Sequence, residues 1–166
     1  MRRQINPSLL ASVEAVLDKI YALTTQEFID VVKQDVGCIQ IITAERLFER
    51  MANEPDLLVI NVLSERWYRD CHIKGSINIP LKELIYRIEG VSLDRPIAVY
   101  CALDACNGGQ KAYILLRCLG YTNVVDYHEG VKDWFLKGYP VEGPCAESYL
   151  HEEYVHRKVC IDEDAH

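Results

Sequence analysis

The sequence predicts an α/β fold: an open parallel sheet covered by helices on both faces, preceded by an N-terminal helical extension. Two patterns and a length lead there. Short apolar runs of strand length alternate with segments whose apolar residues recur at helical spacing, the order that builds a parallel sheet covered on both sides. The run over residues 96–100 is apolar throughout and ends at Cys101, where a glycine-containing loop opens into a helical pattern. The chain has 166 residues, 49% hydrophobic and 26% charged, which suits one globular domain with an extension and a proper buried core.

The elements follow in order. Asn6 and Pro7 form a cap and first-turn pair, and Leu9, Leu10, Val13, Val16, Leu17, Ile20 and Tyr21 continue at helical spacing. Thr24 and Glu27 make a capping-box pair ahead of Phe28, Val31 and Val32, so residues 6–35 read as one or two helices. Their apolar stripe either packs on the sheet domain or forms a face for self-association or a partner. Gly37 and Cys38 close this extension (residues 1–38) and lead into the main domain (39–142), with a C-terminal tail at 143–166. Thr43 caps a helix running through Leu47 to Met51. Strand 57–62, helix 65–69, strand 76–79, helix 81–88, strand 96–100, a helix over 111–119 stopped by Gly120, strand 123–126 and helix 131–137 complete the alternation. Open sheets of this kind place ligands beyond the carboxyl ends of their strands, and Cys101 stands at one.

A loop that wraps onto a helix N-terminus points backbone N–H groups inward. With the helix dipole these favour a thiolate at the loop's first position. Cys101 is therefore expected to be a nucleophile with a lowered pKa, framed by Ala102, Leu103, Asp104, Ala105, Asn107, Gly108, Gly109 and Lys111. The alternative is a buried, inert cysteine at a strand end.

Several further segments carry a family likeness. LLVINV at 57–62 resembles a first core strand, CHIKGSINIP at 71–80 a "GHIxGAxNIP" segment, and VYC at 99–101 a strand leading into an active-site loop. LLRCLGYTNVV at 115–125 and EGVKDW at 129–134 complete the series. In this order the motifs resemble a single rhodanese-like (sulfurtransferase) domain from about Ile39 to Glu142. The loop CALDACNG at 101–108 is similar to a branch of that family with a Cys-x4-Cys-Asn-Gly loop. The commoner Cys-x4-Arg loop has its arginine where Cys106 stands; Asn61 replaces the usual Asp, Glu129 the first Gly of a Gly-Gly pair, and Cys71 the Gly of the "GHI" segment.

The resemblance implies ping-pong sulfur transfer. Cys101 takes sulfane sulfur from a donor as a persulfide, held by backbone N–H groups from Ala102 through Gly109, and passes it to a thiol acceptor. Cys106 is either the resolving thiol or a small residue filling the place of an arginine; disulfide closure needs Cα atoms within about 7 Å. No metal or organic cofactor is implied. With no arginine in the loop, a dianion such as thiosulfate meets Asp104 and only Lys111 as positive charge, so weak thiosulfate activity is expected. A non-catalytic interaction or regulatory module is the second reading. A cysteine-based phosphatase or arsenate reductase ranks last, because Cys-x5-Arg needs an arginine where Asn107 stands.

Charge narrows the field further. A net charge of −7 without a Lys/Arg cluster beyond Arg2 and Arg3 argues against a nucleic-acid footprint. Neither a signal-peptide core nor an 18-residue apolar span occurs, so no membrane partner and a cytoplasmic location are expected. Seven cysteines, an odd number without framework spacing, fit a reducing compartment better than a disulfide scaffold. His72 reads as a structural hydrogen-bonding residue, Trp134 as core, and Arg66 and Trp67 as a surface and packing pair. His156 and Cys160 would share a helical face, but two ligands make no metal site and the tail reads as solvated.

Overall fold

The structure, a computed structural model, describes residues 38–151; the helices expected over 6–35 and the His156–Cys160 pair lie outside the described residues. Thr43 caps helix α1 (Ala44–Asn53), its Oγ1 accepting from the Arg46 N–H at 3.4 Å. Strand β1 (Leu58–Asn61), helix α2 (Glu65–Asp70), β2 (His72–Ile73) and β3 (Ile77–Asn78) follow. The helix expected over 81–88 divides into a 3-10 turn at Leu81–Glu83 and α3 (Leu84–Arg87). Then come β4 (Ile97–Tyr100), α4 (Gly108–Cys118), β5 (Val124–Tyr127), α5 (Gly130–Leu136), β6 (Val141–Glu142) and a 3-10 turn at Ser148–Leu150.

The main sheet has the order β3-β1-β4-β5 and is parallel throughout, with Asn61 opposite Tyr100 and Tyr100 opposite Tyr127. An isolated parallel bridge from Ile41 to Asp126 extends its far edge. Alternating side chains supply two cores, as the period of two along a strand requires. Ile60, Ile97, Val99 and Val124 pack with Leu84, Ile85 and Ile88 of α3 and with Ala112, Leu115 and Leu116 of α4. Val59, Ala98, Tyr100 and Tyr127 pack with Ala44 and Leu47 of α1 and with Val131 and Trp134 of α5. Helices therefore cover both faces, and the central strand β4 is buried at every residue. Trp134, 1% exposed, is core as expected; its Nε1–H donates to the Pro140 carbonyl at 2.9 Å.

Two expectations are corrected. Residues 143–151 are docked rather than solvated: the N–H of Ala146 donates to Asp70 Oδ1 at 3.0 Å, and Leu150 is fully buried. Nor are all the cysteines free, because Cys71 and Cys145 form a disulfide with their Cα atoms 4.6 Å apart at a sequence separation of 74. The fold brings them together where the β2–β6 antiparallel ribbon, with His72 opposite Glu142, returns the chain past α2. Two-residue strands carry no readable periodicity, so this ribbon had no signature in the sequence. His72 is structural as predicted: its Nδ1 lies 2.7 Å from the Tyr68 carbonyl and its Nε2 3.3 Å from Glu142 Oε2. Among the described residues no helix is long and apolar enough to cross a membrane.

Candidate active site

Strand β4 delivers Cys101 to its carboxyl end. The strand is anchored by the Tyr100 hydroxyl, which accepts from the Ile73 N–H at 3.0 Å and lies 2.8 Å from Ser76 Oγ. The chain then turns, the Cys106 N–H donating to the Leu103 carbonyl at 2.9 Å, and enters α4 at Gly108. The start of α5 clamps this loop from the other side. Val131 and Lys132 donate their N–H groups to the carbonyls of Cys101 and Ala102 at 3.0 and 2.9 Å.

Gly130 makes that clamp possible. Its φ is +71°, and a Cβ there would stand 2.6 Å from the Leu103 nitrogen and 2.7 Å from the Cys101 oxygen. Glu129, by contrast, has φ −66°, open to any residue. Only the second position of this pair requires glycine.

The Cys101 residue is 2% exposed, and its surroundings reverse the expected pKa shift. Burial pushes the thiol well above its ordinary range, and hydrogen bonding and charge from Cys106, then the negative charge of Asp126, push the same way; the Gly109 N–H alone opposes them. Carbonyl oxygens face the sulfur, Cys106 O at 3.2 Å and Leu103 O at 3.7 Å, and can only accept from it. These surroundings favour the neutral thiol over the thiolate. Of the backbone donors expected between 102 and 109, that of Cys106 is committed to the turn.

The two cysteines of the loop meet. The Cys101 Sγ faces the Cys106 carbonyl at 3.2 Å, and a Cβ built on Gly108 would lie 3.4 Å from both Cys101 Cβ and Cys106 Sγ. Ala102 and Leu103 are buried, Asp104 and Ala105 exposed at the turn, and Asn107, Gly108 and Lys111 partly exposed around the entrance to α4. Gly109 is buried, and a Cβ on it would overlap Oδ1 of Asp126.

Asp126 was not anticipated from sequence, although an aspartate in the strand VVDY is its own signal. The side chain is fully buried on the α4 side of β5, and neither carboxylate oxygen has a hydrogen-bond partner. Burial, then the charges of Cys106 and Glu129, push its pKa up to about 7. His128 Nδ1 approaches Oδ2 at 3.7 Å. Among the described residues no cluster of three or more His, Cys, Asp or Glu could hold a metal ion. A hollow lined by Phe48, Met51, Lys74, Trp134 and Pro140 contains none of these site residues.

Comparison with known proteins agrees with this geometry. The HTH-type transcriptional regulator Rv0324 of Mycobacterium tuberculosis is 33% identical over 134 residues, 81% of this chain and 57% of the regulator, so the match spans little more than half of that protein. A protein named Sulfurtransferase from Allochromatium vinosum is 24% identical over 103 residues, 62% of this chain and 94% of the relative. The crystal structure of a rhodanese-related protein from Thermoplasma volcanium superposes with a TM-score of 0.54 at 32% identity, covering 62% of this chain and 97% of that one. The family model described as Rhodanese-like domain matches residues 43–137, which run from the cap of α1 to the end of α5 and enclose the parallel sheet and the cysteine loop. With its Cys-x4-Cys loop at Cys101 and Cys106, the chain belongs to the rhodanese-like domain family.

Proposed function

We propose that this chain is a sulfurtransferase that carries sulfane sulfur as a persulfide on Cys101, with Cys106 as the resolving thiol. The observation that carries this reading is the apposition of Cys101 and Cys106 at the carboxyl end of the central strand, both side chains lying against Gly108. As a thiolate, Cys101 Sγ bonds to the terminal sulfur of a donor persulfide; the donor's S–S bond breaks and the donor leaves as a thiolate. An acceptor thiol then takes the outer sulfur. Alternatively Cys106 attacks Cys101 Sγ, hydrosulfide leaves, and the Cys101–Cys106 disulfide is reopened by a dithiol reductant through exchange. Asp104 at the exposed turn and Asp126 beneath the loop make the site unfavourable for a dianion, which supports a persulfide donor over thiosulfate.

Intact-mass spectrometry after brief exposure to cysteine persulfide tests this, with Cys101→Ser and Cys106→Ser beside the unaltered protein. The expected result is a gain of one sulfur atom that requires Cys101 and converts to a loss of two hydrogens only when Cys106 is present. The burial of Cys101 favours a second reading, a non-catalytic interaction module. A mass unchanged by cysteine persulfide and thiosulfate alike would establish that reading instead.

A further inference from the structure

Beneath the cysteine loop lies a carboxyl group that stability alone does not explain. Asp126 is 0% exposed, and both its oxygens lack hydrogen-bond partners. Burying a carboxylate without partners costs several kcal/mol. The strand position it occupies would hold valine at no such cost. Its placement is specific. Gly109, against which Oδ1 packs, is the residue whose N–H hydrogen-bonds the Cys101 sulfur, and the adjacent Gly108 lies against Cys106 Sγ. Successive Cα atoms are about 3.8 Å apart, so the carboxyl and both thiols press on one short piece of backbone.

We propose that Asp126 is the proton acceptor of the Cys101–Cys106 thiol pair and that His128 connects it to solvent. The proposal rests on the sulfur-transfer reading and deepens it. Once the Cys101 S–H turns away from the Cys106 and Leu103 carbonyls, its bond breaks, the proton goes to an Asp126 oxygen, and the electron pair stays on sulfur. That pair forms the new S–S bond as the donor's thiolate departs. The proton leaves through His128, whose ring is 3.7 Å from Oδ2 and whose side chain is 30% exposed, to water. Transfer to Asp126 also removes the negative charge that would otherwise oppose the new thiolate, so the buried site never holds both anions. No cation is needed in the loop, which is consistent with Cys106 occupying the place of an arginine.

The groups facing Asp126 bound its behaviour. Cys101 and Cys106 face it from the loop and Glu129 from the turn after β5, all acting to keep it protonated, while His128 when charged acts the other way. The segment before α1 pairs with its backbone: the Ile42 N–H donates to its carbonyl and its own N–H to the Gln40 carbonyl.

The test is the rate of Cys101 alkylation by iodoacetamide between pH 5 and 10, read by mass spectrometry. It reports thiol deprotonation without any sulfur transfer. The unaltered protein is expected to show a limb near pH 7 leading to a plateau, before the thiol's own higher limb. In Asp126→Asn that limb disappears and the rate at pH 7.5 falls about a hundredfold, a general-base contribution; Asp126→Glu restores the limb. A purely electrostatic or structural role predicts the opposite sign, since removing the negative charge lowers the thiol pKa and speeds alkylation. Faster alkylation in Asp126→Asn overturns the proposal. So does a single limb above pH 9 in the unaltered protein, a result that needs no variant to fold. If alkylation behaves as expected but cysteine persulfide adds no sulfur, the sulfur-transfer reading fails while the proton acceptor stands.

Discussion

Gly130→Ala tests whether α5 holds the cysteine loop in place. At φ +71° an alanine sits in the left-handed region at a cost of about 1–2 kcal/mol. Its Cβ also meets backbone, which cannot swing aside as a side-chain tip can. Opening the contact with Cys101 O from 2.7 Å to an ordinary 3.4 Å moves the helix start by about 0.7 Å. The hydrogen bonds from Val131 and Lys132, now 3.0 and 2.9 Å, then stretch to about 3.6 Å or beyond, past useful length. Each lost bond costs about 1 kcal/mol, and a stiffer unfolded chain returns less than about 1 kcal/mol. The net loss is about 3 kcal/mol. Gly138→Ala is the matched control: φ there is +74° with no atom within 4 Å of the added carbon, so it costs the conformational part alone, about 1 kcal/mol. Urea denaturation of the three proteins reads both values from the midpoints. Persulfide formation should fall in Gly130→Ala and stay intact in Gly138→Ala. Equal midpoints for the two variants would refute the apposition of α5 and the loop.

Three further outcomes are expected. Asp126, with its pKa raised from 3.8 to about 7, holds its proton more tightly in the folded state. Its contribution is fully present below pH 4 and lost as pH rises through 7, by up to about 4 kcal/mol, so Asp126→Asn should flatten thermal stability across that window. Cys145→Ser removes the bridge that closes a 74-position loop and should cost about 2–4 kcal/mol in urea, a difference that vanishes when both proteins are reduced. Tyr100→Phe leaves the buried Ile73 N–H and the Ser76 hydroxyl without that partner, and differential scanning calorimetry should show a loss of about 1–3 kcal/mol.

The alternation of strands and helices, the covering of both sheet faces, the cap at Thr43, the core role of Trp134 and the position of Cys101 at a strand end were all legible in the sequence. Each depends on neighbours in the chain: apolar period, cap chemistry, and a glycine pair where a loop becomes a helix. The surroundings of the thiol were not, because they arrive from elsewhere. Asp126 comes from β5, Gly130 from the start of α5, and burial from the packed cores; together they turned an expected low thiol pKa into a raised one. The Cys71–Cys145 pair was invisible for the same reason, since 74 positions of chain separate two residues whose contact only the β2–β6 ribbon creates. Local propensity chose the elements and the place of Cys101 among them. Long-range packing decided which charges and donors reach its sulfur, because electrostatic energy depends on distance through space and on the exclusion of water, and neither is written in the spacing of residues along the chain.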